Sequence, residues 1–403
     1  MLSVRHAATS RRLTLEPSMS TVATRLSLLP AALVALLVAA PARAEAPASF
    51  ATELGLLRRY VACDARAEVP PAKGFGPKIA DGSCKEVKRR ISVFRKKWLD
   101  VALPILREIV PTNLPQNVVY PFGGADLLHA LAAYPNAARI TTMSLEWVGD
   151  PRAITSMESG ALKNNLAQQH SFLIKLFQVN HSRTADLQSL NASPIPAPLV
   201  FALTALELLG YEPLEARWFR LDDAGKVVYL TPSAIAAFDK TPEGRKQKDR
   251  NVFFANVEVR FRKSGVPNAP DQVWRHMRAN LHDEQLRDSP VARYIKGEGP
   301  FAGLMKAASY LIWSPDFSVI RNLMLDGMTW MISDTSGIGP SHAAAKGFKQ
   351  QVWGQFKGSM FGGAKSVERE MIELWRRDLV RKLPVQFGYP DKVENNHLMV
   401  TYK

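Results

Sequence analysis

Three carboxylates stand directly after apolar runs: Asp126 in "YPFGGAD", Glu146 in "TTMSLEWVGD" and Asp334 in "WMISDTSGIGP". An acid at the carboxyl end of a strand is placed to hold ligand hydroxyls or to move protons, because α/β folds open their crevices at that edge. Gly123 and Gly124, just before Asp126, let backbone approach a ligand at the start of a helix with no Cβ in the way. Glu146 follows Gly124 by about 20 residues, the interval at which a dinucleotide-type site sets its ribose-binding acid. Against that reading, the turn lacks the G-x-G-x-x-G spacing, and Asp126 puts negative charge where a phosphate would sit. A site for S-adenosylmethionine tolerates looser glycine patterns, but neither cofactor is normally supplied outside the cytoplasm. No cofactor is strongly indicated, and the simpler reading makes these residues the turn and cap of a Rossmann-like unit.

The candidate ligand-binding set is Gly123, Gly124, Asp126, Glu146 and Ser336, and the candidate catalytic acids are Asp126, Glu146 and Asp334. Paired carboxylates do acid–base work only where one of them has a raised pKa. Asp334-Thr335-Ser336-Gly337 resembles the Asp-Thr-Gly of aspartic proteases only with a residue inserted and no second copy, so an acid capping its own turn explains it better. His129, in the helix after the glycines, either faces the turn or is packed. His276 and His282 fall on different faces of an expected helix and cannot share a metal. No H-E-x-x-H, C-x-x-C or G-x-S-x-G occurs, so no metal site and no hydrolase elbow is expected.

The elements that position these residues follow from periodicity. "NVVYPF" reads as a strand, Leu127, Leu128, Leu131 and Tyr134 as a helical face stopped by Pro135, and "RITTMSLEWV" as a second strand. Strand, helix and strand make a βαβ unit with parallel pairing. Downstream, "GALKNNLAQQHSFLIKLFQV" and "LVFALTALELLG" read as helices, the second stopped by Gly210. "EARWFRLDDAGKVVYLT" reads as a hairpin turning at Asp-Ala-Gly, and "NVFFANVEVRF" as a strand. Helices are expected near Asp271–Leu286, Phe301–Ile312, Phe317–Leu325 and Ser366–Lys382, and strands at "MTWMIS" and "HLMVTY". The expected fold is α/β: a Rossmann-like, mainly parallel sheet with antiparallel additions over 116–403, preceded by a helical segment over 45–115.

The run "YPFGGADLLHALAAYPNA", with "LEWVG" and the later "ISDTSGIGP", resembles a group of exported bacterial proteins of unknown function. That group carries a Tyr-Pro-Phe-(Gly/Ser)-Gly-x-Asp turn and an acid-x-Ser-Gly turn. The resemblance covers about 40 residues and implies export and an α/β fold, with no activity attached. Where the group has Leu-Glu-Pro, this chain has Leu145-Glu146-Trp147, which leaves the role of that turn open.

The chain has 403 residues, 46% hydrophobic and 22% charged, an ordinary globular composition. Residues 1–44 read as a signal peptide: Arg25, an apolar run from Leu26 to Ala40, then Ala42-Arg43-Ala44, with cleavage before Glu45 and either Met1 or Met19 as the start. That apolar run is shorter than the ~20 residues of a spanning helix, so the mature protein is expected to be exported, periplasmic or extracellular, and without a membrane anchor. A formal charge of +15 favours anionic partners such as an envelope component. Val87, Ile91, Phe94 and Trp98 form one apolar stripe of a helix whose other faces are basic, but no nucleic-acid module is recognisable. Cys63 and Cys84 are the two cysteines, and in an oxidising compartment they are expected to form a structural disulfide. Three function classes follow: a ligand-binding protein, a carboxylate-dependent hydrolase of envelope material, and an envelope interaction protein using its basic helix.

Overall fold

The computed structural model describes residues 45–69, 72, 74–76, 79–178, 193–358, 365–388 and 396–403; the expected signal segment 1–44 lies outside them. Helix α1 (Ala51–Leu56) continues through π-helical residues Leu57–Val61 to Cys63. Cys63 is bonded to Cys84 with a Cα–Cα distance of 5.5 Å, as the cysteine count implies. Cys84 sits in α2 (Asp81–Phe94), whose stripe of Val87, Ile91 and Phe94 is buried, as is Trp98 in the continuation Arg95–Leu99. Lys85, Lys88, Arg89, Lys96 and Lys97 face solvent from the same stretch. A further helix, α3 (Asp100–Ile109), leads to the sheet.

Among the described residues ten strands form one sheet: β1 (Asn117–Tyr120), β2 (Arg139–Ser144), β3 (Tyr211–Leu221), β4 (Val227–Tyr229), β5 (Asn256–Lys263), β6 (Gln272–Arg278), β7 (Phe301–Met305), β8 (Met328–Ser333), β9 (Lys349–Gly354) and β10 (His397–Tyr402). Their order is β4-β3-β5-β6-β2-β1-β7-β8-β10-β9. The expected βαβ unit is present. β1 and β2 pair in parallel from Asn117–Arg139 to Tyr120–Thr142, and α4 (Leu127–Ala133) crosses between them. β6, β7 and β8 extend this parallel block on its two sides.

A mainly parallel sheet is not what forms. Four pairings are parallel and five antiparallel, so the sheet is mixed. The reason is local. The tight turn between β3 and β4, with Gly225 at φ +81°, permits only an antiparallel return, and β5 joins the same meander. At the other edge β10 runs antiparallel to both β8 and β9.

Two expected helices are interrupted by strands. Within 271–286, residues 272–278 are β6, with helix only at Asp283–Leu286. Within 301–312, residues 301–305 are β7, followed by a 3₁₀ helix over Ala307–Trp313. Every residue of β7 is buried, because helices cover both faces of the sheet there. A strand buried on both sides has no alternation to read. β9, a half-exposed edge strand, was not anticipated.

Side chains alternate between two cores. Val118, Tyr120, Ile140, Trp274, Leu304 and Ile332 pack with α2, α3, α4 and the helix Ala197–Leu209. Val119, Met143, Met277, Met305 and Met331 pack on the opposite face against helices Pro290–Gly297, Ser318–Gly327 and Lys365–Arg377.

Candidate functional site

From β1 the chain moves outward to β2 and later β6, then returns to the other side of β1 for β7 and β8. Strand order therefore reverses between β1 and β7, where open α/β sheets leave a crevice beyond the strand ends. Tyr120, Glu146, Lys306 and Asp334 come from the ends of β1, β2, β7 and β8, and all four are buried.

The turn after β1 is shaped by its glycines. Gly124 has φ +56°. At Gly123 a Cβ would meet the Tyr120 ring at 2.6 Å, so the ring folds over the turn only because no side chain is there. Asp126 caps α4 by accepting from the His129 amide at 3.2 Å. Its two oxygens also lie 2.8 and 2.9 Å from His129 Nδ1, and the Tyr120 hydroxyl donates to it at 3.2 Å. Burial works to raise the Asp126 carboxyl, but His129 and Lys306 overcome it and hold it below the ordinary carboxylate range. The Tyr120 phenol is pushed well up by burial, with Asp126 and Asp334 adding to the effect. His129 is packed as well as engaged: Trp98 meets its ring edge-on at 4.7 Å, and its Nε2 is buried without a partner.

Asp334 closes its own turn. One oxygen accepts from the Ser336 amide at 2.8 Å and the Ser336 hydroxyl at 2.5 Å. The other accepts from the Ala307 amide at 3.1 Å, which ties the turn after β8 to the one after β7. Ser336 is thus spent on Asp334.

Glu146 differs from both. It is 1% exposed, and among the described residues neither carboxylate oxygen has a hydrogen-bond partner. Burial raises its carboxyl above the usual range, and the nearby Ser144 hydroxyl offsets only part of this. A buried carboxylate with no donor is costly, and the great majority of buried polar groups are paired. Its main chain, by contrast, is fixed. The Trp274 indole donates to Thr142 Oγ1 at 3.1 Å, Thr142 Oγ1 lies 3.1 Å from His276 Nδ1, and His276 Nε2 lies 3.1 Å from the Glu146 carbonyl oxygen. His276 Nδ1 is also 3.1 Å from the Gly124 carbonyl oxygen, so the imidazole lies between the two turns with one N–H for either carbonyl. Burial lowers the His276 pKa to about 4. Next to Glu146 along the chain, Trp147, Gly149, Ser193, Pro194, Ile195 and Asn251 line a shallow recess with a cavity volume of ≈ 10 Å³.

The structure therefore groups Asp126 and Asp334 around Tyr120 and Lys306, and links Gly124 to Glu146 through His276. The three acids do not form a facing carboxylate pair with shared hydrogen bonds; each has its own surroundings. Tyr120, Lys306 and His276 were not among the candidates. Lys306 carried a signal, a lone cation inside "FAGLMKAASYLIW", but a helical reading of that run hid its place at a strand end. His276 was hidden in the same way by the helix expected over 271–286. Comparison with protein-family models, with curated proteins and with solved structures finds no match to this chain, so the reading of the site rests on its geometry.

Proposed function

We propose that this chain binds a small hydroxyl-bearing ligand beyond the ends of β1 and β2, with Glu146 as the hydroxyl acceptor. The observation that carries this reading is the Glu146 carboxylate, buried with both oxygens unpaired beside a turn held in place by His276. A pair of vicinal hydroxyls, as on a ribose, would satisfy both oxygens and remove the desolvation cost. Gly124 supplies the close backbone approach, since the Tyr120 ring fills the space over Gly123, and the order β6-β2-β1-β7-β8 supports a Rossmann-like core. Asp126, Asp334 and Ser336 shape the cleft from the far side, since their polar atoms already have partners. That engagement favours binding over the carboxylate-dependent hydrolase that the same acids would otherwise allow. Calorimetric titration with adenosine-containing compounds tests the reading. Binding by the wild type that is lost in Glu146→Gln supports it, and unchanged affinity in the variant overturns it.

The same reading places the protein outside the cytoplasm, among exported proteins with the Tyr-Pro-Phe-Gly-Gly turn. Its supports are the signal-like residues 1–44 and the Cys63–Cys84 disulfide. Among the described residues no helix is long and apolar enough to cross a membrane. Recovery of secreted protein beginning at Glu45 is the expected result, and secreted protein retaining residues 26–40 would overturn it. The exposed lysines of α2 and its continuation support a second role, contact with an anionic envelope component. Binding to anionic vesicles that weakens as salt rises, and is lost when Lys85, Lys88, Lys96 and Lys97 become Gln, is its test.

A further inference from the structure

His170 lies against the Cys63–Cys84 disulfide. Its Nε2 is 3.4 Å from Cys63 Sγ and 3.7 Å from Cys84 Sγ, and the three donor atoms all lie within 4.8 Å of one another. With Zn–S near 2.3 Å and Zn–N near 2.1 Å, tetrahedral geometry sets sulfur and nitrogen about 3.6 Å apart and two sulfurs about 3.8 Å apart. The nitrogen–sulfur separations here already match. Reduction breaks the bond that joins the two sulfurs and frees both to ligate.

The surroundings suit a metal as well. The three residues come from separate elements: Cys63 follows the π-helical turn, Cys84 belongs to α2, and His170 belongs to the helix Ser159–Leu176. Nδ1 lies 2.7 Å from Ser83 Oγ, while Nε2 donates to the Tyr60 carbonyl oxygen at 2.9 Å, a hydrogen bond that a metal on Nε2 has to displace. Metal-bound histidines generally donate their second ring N–H to a partner placed as Ser83 Oγ is. Cys63 has φ +61°, a left-handed conformation that non-glycine residues seldom adopt. The fold holds this sulfur beside His170 against the backbone's own preference.

We propose that the reduced chain binds one thiophilic divalent cation, such as Zn²⁺, through the Cys63 and Cys84 thiolates and His170 Nε2. The metal would then replace the disulfide as the cross-link of the N-terminal segment. A dithiol reductant transfers two electrons and two protons to the disulfide, breaking the sulfur–sulfur bond and becoming a cyclic disulfide itself. As Zn²⁺ binds, the two new thiols release two protons to solvent. The His170 proton moves from Nε2 to Nδ1, where Ser83 Oγ accepts it as a hydrogen bond, and the Nε2 lone pair goes to the metal. Two thiolates and one divalent cation leave the buried site neutral, and water takes the fourth position.

The test uses the full chain, reduced with a phosphine and titrated with Co²⁺. One equivalent of Co²⁺ should bind with the charge-transfer absorption of tetrahedral thiolate coordination, and Zn²⁺ should displace it. The oxidised chain should bind none. His170→Ala and Cys84→Ser should each weaken binding by about 100-fold or more. If reduction unfolds the chain, added Zn²⁺ should restore its far-ultraviolet circular dichroism. Failure of the reduced chain to bind Co²⁺ or to refold with Zn²⁺, or equal binding by the variants, overturns the proposal.

Discussion

His276 Nε2 lies 3.1 Å from the Glu146 carbonyl oxygen and joins the end of β6 to the turn after β2. With its pKa lowered to about 4, the ring is neutral near pH 7 and carries a single N–H. That N–H serves only one of the two carbonyls in reach; on Nε2 it donates to Glu146, and Thr142 can then donate to Nδ1 while its oxygen accepts from the Trp274 indole, which leaves the Gly124 carbonyl without the ring's proton. The resulting relay runs from Trp274 through Thr142 and His276 to Glu146, and it orders the backbone of the candidate site.

This relay predicts a pH dependence. Unfolded His276 takes a proton near pH 6.5, whereas the folded residue resists protonation until about pH 4. In that window the unfolded state binds more protons, so stability rises with pH across it. The contribution is fully present above pH 6.5 and is lost as pH falls towards 4, for a total of about 3 kcal/mol. Urea unfolding from pH 4 to pH 7.5 should show a steeper loss for wild type than for His276→Gln. Parallel slopes would count against a buried neutral imidazole.

The glycine turn predicts an order of costs. A Cβ at Gly123 would overlap the Tyr120 ring, which is buried and hydrogen-bonded to Asp126 and cannot move away freely. Gly123→Ala should therefore cost about 2–3 kcal/mol. Gly124→Ala, strained at φ +56°, should cost about 1 kcal/mol. Denaturant titration of the two variants decides it, and the reverse order would mean that Tyr120 does not pack over this turn.

Glu146→Gln predicts a gain. Because burial raises the Glu146 carboxyl, its contribution is intact below the unfolded pKa near 4.5 and is lost as pH rises through the folded value. Removing the charge should make the unliganded protein more stable at pH 8, by about 1 kcal/mol, and change little at pH 4. A binding site kept at the expense of stability behaves this way. Destabilisation at pH 8 would reveal a partner for the carboxylate.

How far the sequence could be read depended on surface contrast. The α2 stripe and the turn from β1 into α4 were legible because apolar and polar residues alternate there at a clear period, or because Gly and Pro punctuate them. β7 was not legible. Its five residues are buried on both faces, so nothing in "FAGLM" separates a strand from a helix. Losing β7 also hid Lys306, since a cation beyond a strand end means something different from one inside a helix. Glu146 was singled out by spacing alone. That its carboxylate lacks a donor is a property of the packed state, and no pattern of residue types carries it.

The place of β10 in the sheet has a consequence for the order of folding. Among the described residues β9 forms its ladder with β10, apart from one bridge from Trp353 to Arg381, and β10 sits between β8 and β9 although it follows both along the chain. Until Leu398–Tyr402 are delivered, β9 has no ladder to join and β8 presents an open edge. Contacts that close late over long sequence separations slow the search for the native state and leave an edge that another chain can occupy. Amides of Lys349–Gly354 should therefore gain protection from hydrogen exchange together with those of β10 and after those of β1 and β2. Earlier protection of β9 would show that it forms without the strand that holds it.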